Sequence, residues 1–591
     1  MASEVYDPSL DRHADDQYLM VAAIDFGTTF SGYAFSLRSS LHDIIVYKHW
    51  GSELGIQGYK TPTCVLTDKD GSFKHFGYEA ENFFVGLADG EDREYSFFSK
   101  FKMVLHRIKK LNKATNITAS NGHFRPAIQI FAMALEYLKN HLLEVVTKQL
   151  KSCPNTRRIR WVITVPAIWS DASKQFMREA AFEAGIMPTV DSNQLIIALE
   201  PEAASVWCRS LSVDNFLNTT TSASTMQPGA KYIVIDAGGG TLDCTAHELL
   251  EDGHVRELER ASGGAFGGTK VDDTFVKLLN DVFTKDFISL CKADCPAVWL
   301  QLMSSFEQRK KGFRPDQSET TNIQLTYQLA SKYQEFTGNK LKDALKTSNV
   351  SGVSVNNGML RISCEKMKEL FQPCIDGIIS HVDQMLKNIK LEKIEYILMV
   401  GGFSESPVLQ QAMLSAFRQR AKVLIPHEAG LSVIKGAVLF GHDPLSITTR
   451  ISRRTYGIKC QRTFNSEIHS YRKMRTVNGV DKAVDIFDPI IVKGEEVEIG
   501  TVKTFTFRPS RPDQTGADIL IYGTDREEIQ YVTEEGVELL GHVFVELAGQ
   551  GQDRCIQARI IFGGPEITVE ARDLSCTESA AHRCSLQFLF E

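Results

Sequence analysis

Long hydrophobic runs are missing from this 591-residue sequence, and so is the pattern of a secretion signal. No apolar run reaches the roughly 18 residues that cross a bilayer. The polar, acid-rich start of the chain, up to Tyr18, has no basic stretch followed by an apolar one. We therefore expect neither a membrane span nor a signal peptide, and a cytoplasmic protein.

A strong excess of one charge is also missing. The 66 basic and 73 acidic residues leave a net charge of -7 at pH 7, which argues against a nucleic-acid-binding surface. The 12 cysteines are scattered, and the close pair Cys291 and Cys295 lacks a second pair at zinc-ligand spacing. We expect reduced thiols rather than a zinc site. The composition, 43% hydrophobic and 24% charged, is that of a globular chain.

Short apolar runs rich in β-branched residues are present, and each ends abruptly in a polar, glycine or proline element. Such runs predict strands buried on both faces, which is typical of parallel sheets. Ligands of α/β proteins bind beyond the carboxyl ends of these strands, so we expect the four ends to line one site. The runs are residues 19–24, 161–165, 232–235 and 394–400.

Helical periodicity lies between these runs, and short alternating runs follow residue 441. The predicted helices are residues 124–150, 172–184, 367–386 and 408–417. A polar stretch, 212–229, is predicted to be a surface loop. The alternating runs predict a small antiparallel β domain. They are residues 504–507, 518–522, 542–546 and 556–561.

The first candidate site is the segment Asp25-Phe-Gly-Thr-Thr29, which directly follows a predicted strand. Glycine lets the backbone approach a ligand closely, and N–H groups with the hydroxyls of Thr28 and Thr29 can hold phosphate oxygens. Asp25 can orient the waters of Mg²⁺. The alternative, a plain β-hairpin turn, stays open.

A stronger candidate is the run from Asp236 to Asp243, which contains three consecutive glycines. Each glycine would weaken an ordinary strand or helix by about 1 kcal/mol relative to alanine, so the run favours backbone that wraps a ligand. Its alternative is a flexible turn. The segment from Ile24 to Thr28 has the same order of Asp, Gly and Thr after a buried strand, which predicts two similar α/β halves with a cleft between them.

Three further segments contribute candidates, each with a plain alternative. Gly401 and Gly402 precede a predicted helix N-terminus, which suits a nucleotide but also fits an ordinary connection. Glu200 can polarise a water or lie in the outer shell of Mg²⁺, or be a carboxylate favoured at a helix start. Residues 307–311 can form one charged helix face, or a solvated charge run.

The order of these motifs resembles the actin-like ATPase superfamily, and more narrowly the heat-shock seventy-kilodalton chaperone family. Val162-Ile-Thr-Val-Pro-Ala167 and Glu200-Pro-Glu-Ala-Ala204 are similar to the chaperones rather than to sugar kinases or actin. The segments from Ala22 to Ala34 and from Phe101 to His106 resemble its divergent twelve-A/twelve-B branch. The resemblance covers residues 18–441 well and 490–573 weakly.

The resemblance implies a fold and a division of the chain. The fold is α/β, a two-lobed actin-like ATPase built from duplicated ribonuclease-H-like domains, followed by a small antiparallel β domain with no helical lid. The implied segments are a polar N-terminal tail (1–17), lobe I (about 18–230), lobe II (about 231–395), a return to lobe I (about 396–442), a linker (443–460), a β-rich domain like the family's substrate-binding unit (461–573) and a C-terminal tail (574–591).

The resemblance also implies roles for individual residues. The implied catalytic residues are Glu200, Asp236, Asp243 and Lys100, with Lys102 as the alternative to Lys100. The implied Mg²⁺ ligands are Asp25 and Asp236. The implied ATP- or ADP-binding residues are Gly27, Thr28, Thr29, Gly238, Gly239, Gly240, Thr241, Gly267, Gly268, Glu307, Lys310, Lys311, Gly401, Gly402 and Phe403.

Some positions depart from the family pattern. Phe403 and Glu405 stand where the family has serine and arginine, and Lys174 stands where an arginine is usual. The stretch 448–454 is basic, whereas the family's linker is acidic and rich in leucine.

These residues imply an ATP-binding, chaperone-like protein that hydrolyses ATP slowly with Mg²⁺ and binds protein partners or clients. One alternative is a nucleotide-binding scaffold or adaptor with little or no ATPase activity, which the altered linker and missing lid favour. The other is a small-molecule kinase of the same superfamily.

Overall fold

The computed structural model describes most of the chain. The described residues are 4–5, 18–87, 90–108, 111–217, 226–346, 350–388, 391, 393–477, 479–509, 511–551, 553–575 and 582–585. Within these ranges, no helix combines the length and the apolar character needed to cross a bilayer.

The strands and helices follow one another along the whole chain. The strands are β1 Glu4–Val5, β2 Met20–Phe26, β3 Phe30–Leu37, β4 Ile45–Val46, β5 Thr61–Pro62, β6 Cys64–Thr67, β7 Phe73–Phe76, β8 Ser96–Ser99, β9 Asn116–Thr118, β10 Phe124–Pro126, β11 Ile159–Val165, β12 Leu195–Leu199, β13 Phe216–Leu217, β14 Lys231–Ala237, β15 Leu242–Leu249, β16 Val255–Gly264, β17 Thr321–Gln324, β18 Val353–Asn356, β19 Met359–Ile362, β20 Tyr396–Val400, β21 Lys422–Pro426, β22 Ile447–Ile451, β23 Thr455–Thr463, β24 Met474–Val477, β25 Val480–Ile491, β26 Glu496–Glu498, β27 Thr501–Phe507, β28 Gly516–Thr524, β29 Val537–Glu546, β30 Ile556–Phe562, β31 Thr568–Asp573 and β32 His582–Ser585. The helices are α1 Gly77–Val85, α2 Val104–Arg107, α3 Ala127–Leu150, α4 Asp171–Glu183, α5 Glu200–Arg209, α6 Thr269–Phe283, α7 Lys285–Asp294, α8 Pro296–Gly312, α9 Tyr327–Thr337, α10 Cys364–Leu386, α11 Pro407–Phe417 and α12 Ser432–His442.

Two mixed sheets form the cores of two lobes. In lobe I the strand order is β12-β11-β2-β3-β4, with β5 paired to β3, and β2 runs parallel to β11. In lobe II the order is β13-β21-β20-β14-β15-β16-β22-β26, with β14 parallel to β20. Every residue of β2 is buried, as its continuous apolarity predicts. The hairpins β2-β3 and β14-β15 occupy equivalent places, which confirms the predicted internal similarity.

The lobes are joined by closely packed helices. Helix α12 crosses α5 where Gly436 lies against the backbone carbonyl of Ala203, and a Cβ on this glycine would come within 1.7 Å of that oxygen. Only glycine allows this crossing. The helix that contains Glu200 therefore packs closely against α12, and it also contacts β14 of lobe II.

The predicted helices agree with the structure within a few residues. Phe124–Pro126 forms a short strand, so the first predicted helix begins at Ala127 instead. The side chain of Ser170 accepts a hydrogen bond from the N–H of Ser173 and caps α4. In the predicted surface loop, residues 213–215 form a 3-10 turn and 216–217 form β13, while 218–225 lie outside the described residues.

After His442 the described residues form strands and short 3-10 turns only. Two antiparallel sheets, β24-β25-β23-β28-β29 and β1-β27-β30-β31-β32, enclose a common apolar core that includes Ile521 and Ile560. Residues 4–5, expected in a polar tail, pair with β27 at the edge of the second sheet.

The segment that the sequence predicts as a linker contains β22 and part of β23. Strand β22 pairs in parallel with β16 and antiparallel with β26, so it extends the lobe II sheet. The side chains of Ile447 and Arg450 are buried in this position. The chain thus passes from the lobe II sheet directly into the separate C-terminal sheets, after β22 and again after β26.

Candidate functional site

A cavity of about 1330 Å³ opens between the two lobes. The ends of β2, β12, β14 and β20 contribute to its walls, through Asp25, Glu200, Asp236 and Gly401 respectively. The end of β11 does not line the cavity, which corrects the expectation that its Pro166 end forms a fourth wall. The backbone N–H of Ile168, just beyond that end, instead donates to Asp243 at 2.9 Å.

Most residues that the sequence assigned to the site line this cavity. They are Asp25, Gly27, Thr28, Thr29, Lys100, Lys102, Glu200, Asp236, Gly238, Gly239, Gly240, Thr241, Gly268, Glu307, Lys310, Lys311, Gly401, Gly402 and Phe403. Two do not line it. Asp243 lies beneath the floor, buried, and Gly267 lies behind the glycine run, where its N–H donates to the carbonyl of Gly240 at 3.3 Å.

The two hairpin turns face each other across the base of the cavity. A Cβ on Gly239 would come within 2.2 Å of the hydroxyl of Thr29, and one on Gly240 within 2.7 Å of the hydroxyl of Thr28. Side chains at these glycines would push the lobes apart. The glycines are thus needed for closure of the cleft and not only for turn geometry.

The floor of the cavity is acidic. Burial raises the pKa of Glu200 to about 7, and the charges of Asp25 and Asp243 add to this rise. Burial and the charges of Glu200 and Asp243 also raise the pKa of Asp236 well above its ordinary value. These carboxyl groups compete for ionisation because they share one buried volume.

The two lysines near residue 101 lie in different places. The ammonium of Lys102 is buried and donates to Glu200 at 2.8 Å, at the acidic floor. Lys100 is about half exposed and reaches from lobe I to Asp272 of lobe II at 2.9 Å. Lys310 contacts the other oxygen of Asp272 at 2.6 Å. Lys102 is therefore the lysine beside the candidate catalytic carboxylate, whereas Lys100 bridges the lobes.

Sequence reasoning missed Lys60. Its ammonium lies 2.5 Å from one oxygen of Asp25, and the hydroxyl of Thr164 donates to the other oxygen at 3.0 Å. Burial alone would lower the pKa of Lys60, but the charges of Asp25, Asp236 and Glu405 raise it, so the ammonium stays charged. No motif surrounds Lys60, and only the pairing of β5 with β3 brings it to the cavity.

The upper wall combines α8 with the loop after β20. Lys311 lies 3.6 Å from the centre of the Phe30 ring, and burial lowers its pKa. The ring of Phe403 packs parallel to that of Phe371, with centroids 6.3 Å apart. Glu405 accepts a hydrogen bond from the N–H of Gly430 at 2.9 Å. The position where the family has an arginine thus carries a carboxylate that fixes a neighbouring loop.

Helix α5 links the cavity to β22. Glu200 faces the cavity, while Glu202, in the same helical turn, is buried against the guanidinium of Arg450 with contacts of 2.7 and 2.8 Å. Nearby, Glu257 accepts the N–H of Ile451 at 2.7 Å. Burial and the charge of Glu202 raise the pKa of Glu257 to about 8.

A second arginine of the same segment contacts the end of β11. The guanidinium of Arg453 donates to the carbonyls of Ile168 at 2.9 Å and Trp169 at 3.0 Å, and also to that of Ala167. These carbonyls directly follow Pro166. The basic character of this segment is thus explained by the partners of its arginines, which are carboxylates and carbonyl oxygens of lobe I and of the C-terminal sheets.

The family model described as Hsp70 protein matches residues 90–449. The mouse protein named heat shock 70 kDa protein 12A is 37% identical over 95% of this chain and 90% of its own length. The human protein named heat shock 70 kDa protein 12B is 37% identical over 98% of this chain and 93% of its own length. A chaperone protein DnaK from Mycoplasmopsis agalactiae is 26% identical over 74% of this chain and 62% of its own length.

Together with the two-lobed architecture and the glycine turns that meet across the cleft, these matches give the chain the Hsp70 actin-like ATPase fold and imply nucleotide binding. The chain belongs to the Hsp70 family, in the divergent branch that contains the 12A and 12B proteins.

Proposed function

We propose that this protein binds ATP in the cleft between its lobes, hydrolyses it slowly, and couples the bound nucleotide to C-terminal β-sheets that bind protein partners. The observation that carries the proposal is the pair of glycine-rich turns that face each other across the acidic floor. At this floor the ammonium of Lys102 donates a hydrogen bond to Glu200. This arrangement matches what phosphoryl transfer requires, namely positioning and charge stabilisation.

Different residues of the cavity have different roles in the proposed hydrolysis. The hydroxyls of Thr28, Thr29 and Thr241 line the cavity and can donate to phosphate oxygens. Lys102 supplies positive charge where negative charge develops. Glu200, with a pKa of about 7, can accept the proton of an attacking water near neutral pH.

Mg²⁺ is part of what the sequence implies, through Asp25 and Asp236, but the residues fit it poorly. Both oxygens of Asp25 already have partners, Lys60 and Thr164. We derive no step of the reaction through a metal.

Coupling to the C-terminal sheets follows from the two carboxylates of α5. A nucleotide that shifts Glu200 also shifts Glu202, because both lie in the first turn of one helix. Glu202 holds Arg450 of β22, and β22 leads directly into β23 of the C-terminal sheets. The sheets then take a position that depends on the nucleotide.

Single-turnover hydrolysis of labelled ATP, together with calorimetric titration of ADP, tests the proposal. We expect measurable ADP binding and slow phosphate release, with release lost and binding kept in Glu200→Gln. The matched control is Glu335→Gln, an exposed residue of α9. Absence of nucleotide binding would overturn the proposal.

The two alternatives give different results in the same assays. Binding without phosphate release identifies a scaffold, which the occupied Asp25 favours. Transfer of phosphate to a small molecule identifies a kinase.

A further inference from the structure

The ion pair between Lys60 and Asp25 is built into the backbone of lobe I. Strand β5 follows Lys60 directly, and the hydroxyl of Thr61 in this strand accepts the N–H of Tyr78 at 3.0 Å. Gly77 packs against Thr61 so closely that a Cβ would come within 2.0 Å of that hydroxyl. The residue that follows Lys60 is therefore held in place by closely packed backbone.

A glycine opens the path of the lysine side chain to its partner. Gly32 lies opposite Asp25 in the β2-β3 hairpin, and a Cβ on Gly32 would come within 3.0 Å of the Cγ of Lys60 and 2.9 Å of the carbonyl of Tyr59. The aliphatic part of the Lys60 side chain thus crosses β3 at Gly32, where the absence of a side chain leaves room for it. Its side chain is about one-fifth exposed, with a relative accessibility of 20%.

We propose that the ammonium of Lys60 takes the place of a divalent cation beside Asp25, so that this cleft binds nucleotide without Mg²⁺. The inference rests on the proposed function, in that it requires nucleotide in the cleft. The inference states which group supplies positive charge next to the phosphates. It does not address whether nucleotide binds.

Charge and ligand chemistry support this inference. Mg²⁺ needs near-octahedral oxygen ligands and is usually held through one or two carboxylates plus phosphates. At Asp25 one oxygen accepts from a lysine and the other from a hydroxyl, so a cation must first displace a charged partner. Lys60 and Lys102 both line the cavity and together carry two positive charges, the same charge as one Mg²⁺.

ADP titration with and without Mg²⁺ tests the inference. In the unaltered protein we expect the ADP Kd in EDTA and in Mg²⁺ to differ by less than about threefold. In Lys60→Gln, ADP binding in EDTA weakens by about tenfold or more, and Mg²⁺ restores it. Lys60→Arg keeps the charge and retains binding in EDTA. Lys366→Gln, which loses a remote surface ion pair, is the control for the charge change.

A large loss of ADP binding by the unaltered protein in EDTA would overturn the inference, whatever the variants do. This comparison needs no substitution, so a variant that fails to fold does not remove the test. Absence of ADP binding under both conditions would instead contradict the proposed function.

A metal titration without nucleotide separates the two proposals. Electron paramagnetic resonance counts free Mn²⁺, and we expect the unaltered protein to leave Mn²⁺ free because Lys60 holds Asp25. Lys60→Gln exposes the carboxylates of the floor and gains bound Mn²⁺, whereas Lys366→Gln does not. Equal Mn²⁺ binding by the unaltered protein and Lys60→Gln would contradict the role given to Lys60, even if ADP fails to bind.

Discussion

Asp236 lies where the glycine turn, the acidic floor and the loop after β20 meet. A Cβ on Gly401 would come within 2.1 Å of the Asp236 carboxylate, so the Asp236 side chain packs directly against this glycine. We expect Asp236→Asn to lower single-turnover phosphate release by about 10²- to 10⁴-fold, because it removes the ionisable group at the reacting centre without changing the shape of the side chain. ADP affinity, measured by calorimetry, stays within a few fold. Unchanged turnover would remove Asp236 from the mechanism. The control is Asp376→Asn, a change at an exposed residue of α10.

Glu200 predicts a pH dependence of hydrolysis. Its pKa of about 7 means that it is protonated below that pH and cannot accept a proton from water. We therefore expect the single-turnover rate to rise as pH increases toward 7 and to level off above it. The residual rate of Glu200→Gln lacks this rise. A flat profile in the unaltered protein between pH 5.5 and 8.5, about 1.5 pH units either side of that pKa, would argue against Glu200 as the base.

At the level of residues, the sequence predicts which glycines and carboxylates belong to the site, because they lie in motifs whose order along the chain resembles that of the family. It does not predict Lys60, which has no motif and reaches Asp25 through tertiary pairing of β5. It also cannot separate Lys100 from Lys102, since both follow β8 within three residues. Their difference arises from the turn at Lys100, whose φ is +53°.

Strand β22 combines a buried ion pair, between Arg450 and Glu202, with the burial of apolar side chains. Removal of one partner from the buried pair of Arg450 and Glu202 leaves an uncompensated charge, which costs about 3–5 kcal/mol. We expect Arg450→Met to increase amide exchange across β22, and the double variant with Glu202→Met to recover protection. Arg462→Met, which breaks an exposed pair with Asp488, is the control. Unchanged exchange in Arg450→Met would show that backbone pairing alone fixes β22.

At the level of elements, apolar runs and helical periodicity predict the central strands and most helix ends within a few residues. They do not predict β22, because residues 448–454 present arginines and threonines instead of an apolar alternation. Its Arg450 side chain and the N–H of Ile451 have carboxylate partners that lie far away in sequence, Glu202 and Glu257. Such partners are visible only once the fold is known.

At the scale of the whole molecule, the C-terminal sheets rest on lobe I through the turn between β30 and β31. Arg178 of α4 donates to both oxygens of Glu566 at 2.6 and 2.8 Å, and Lys174 donates to the carbonyl of Pro565 at 2.8 Å. Tyr456 donates to Asp171 at 2.9 Å beside them. These side-chain contacts are polar, which suits a docking that can be reversed.

We expect Glu566→Ala to release the C-terminal sheets from lobe I. The variant removes the C-terminal partner of Arg178, while the carbonyls that Arg178 also contacts within lobe I remain. Small-angle X-ray scattering is expected to show a larger radius of gyration, with ADP affinity unchanged. Glu570→Ala, whose ion pair with Arg559 lies within one sheet, is the matched control. Equal radii for all three proteins would mean that the remaining contacts, such as those of Lys174 with Pro565 and of Tyr456 with Asp171, hold the arrangement without Glu566.

The bridge from Lys100 to Asp272 spans the mouth of the cleft with a half-exposed ammonium. Dissolved ions weaken such an exposed contact far more than they weaken the enclosed pair of Lys102 and Glu200. We therefore expect ionic strength to weaken this bridge between the lobes more than the pair at the acidic floor. Under the proposed function, we expect added salt to shorten the time for which a nucleotide stays bound more than it changes the rate of hydrolysis.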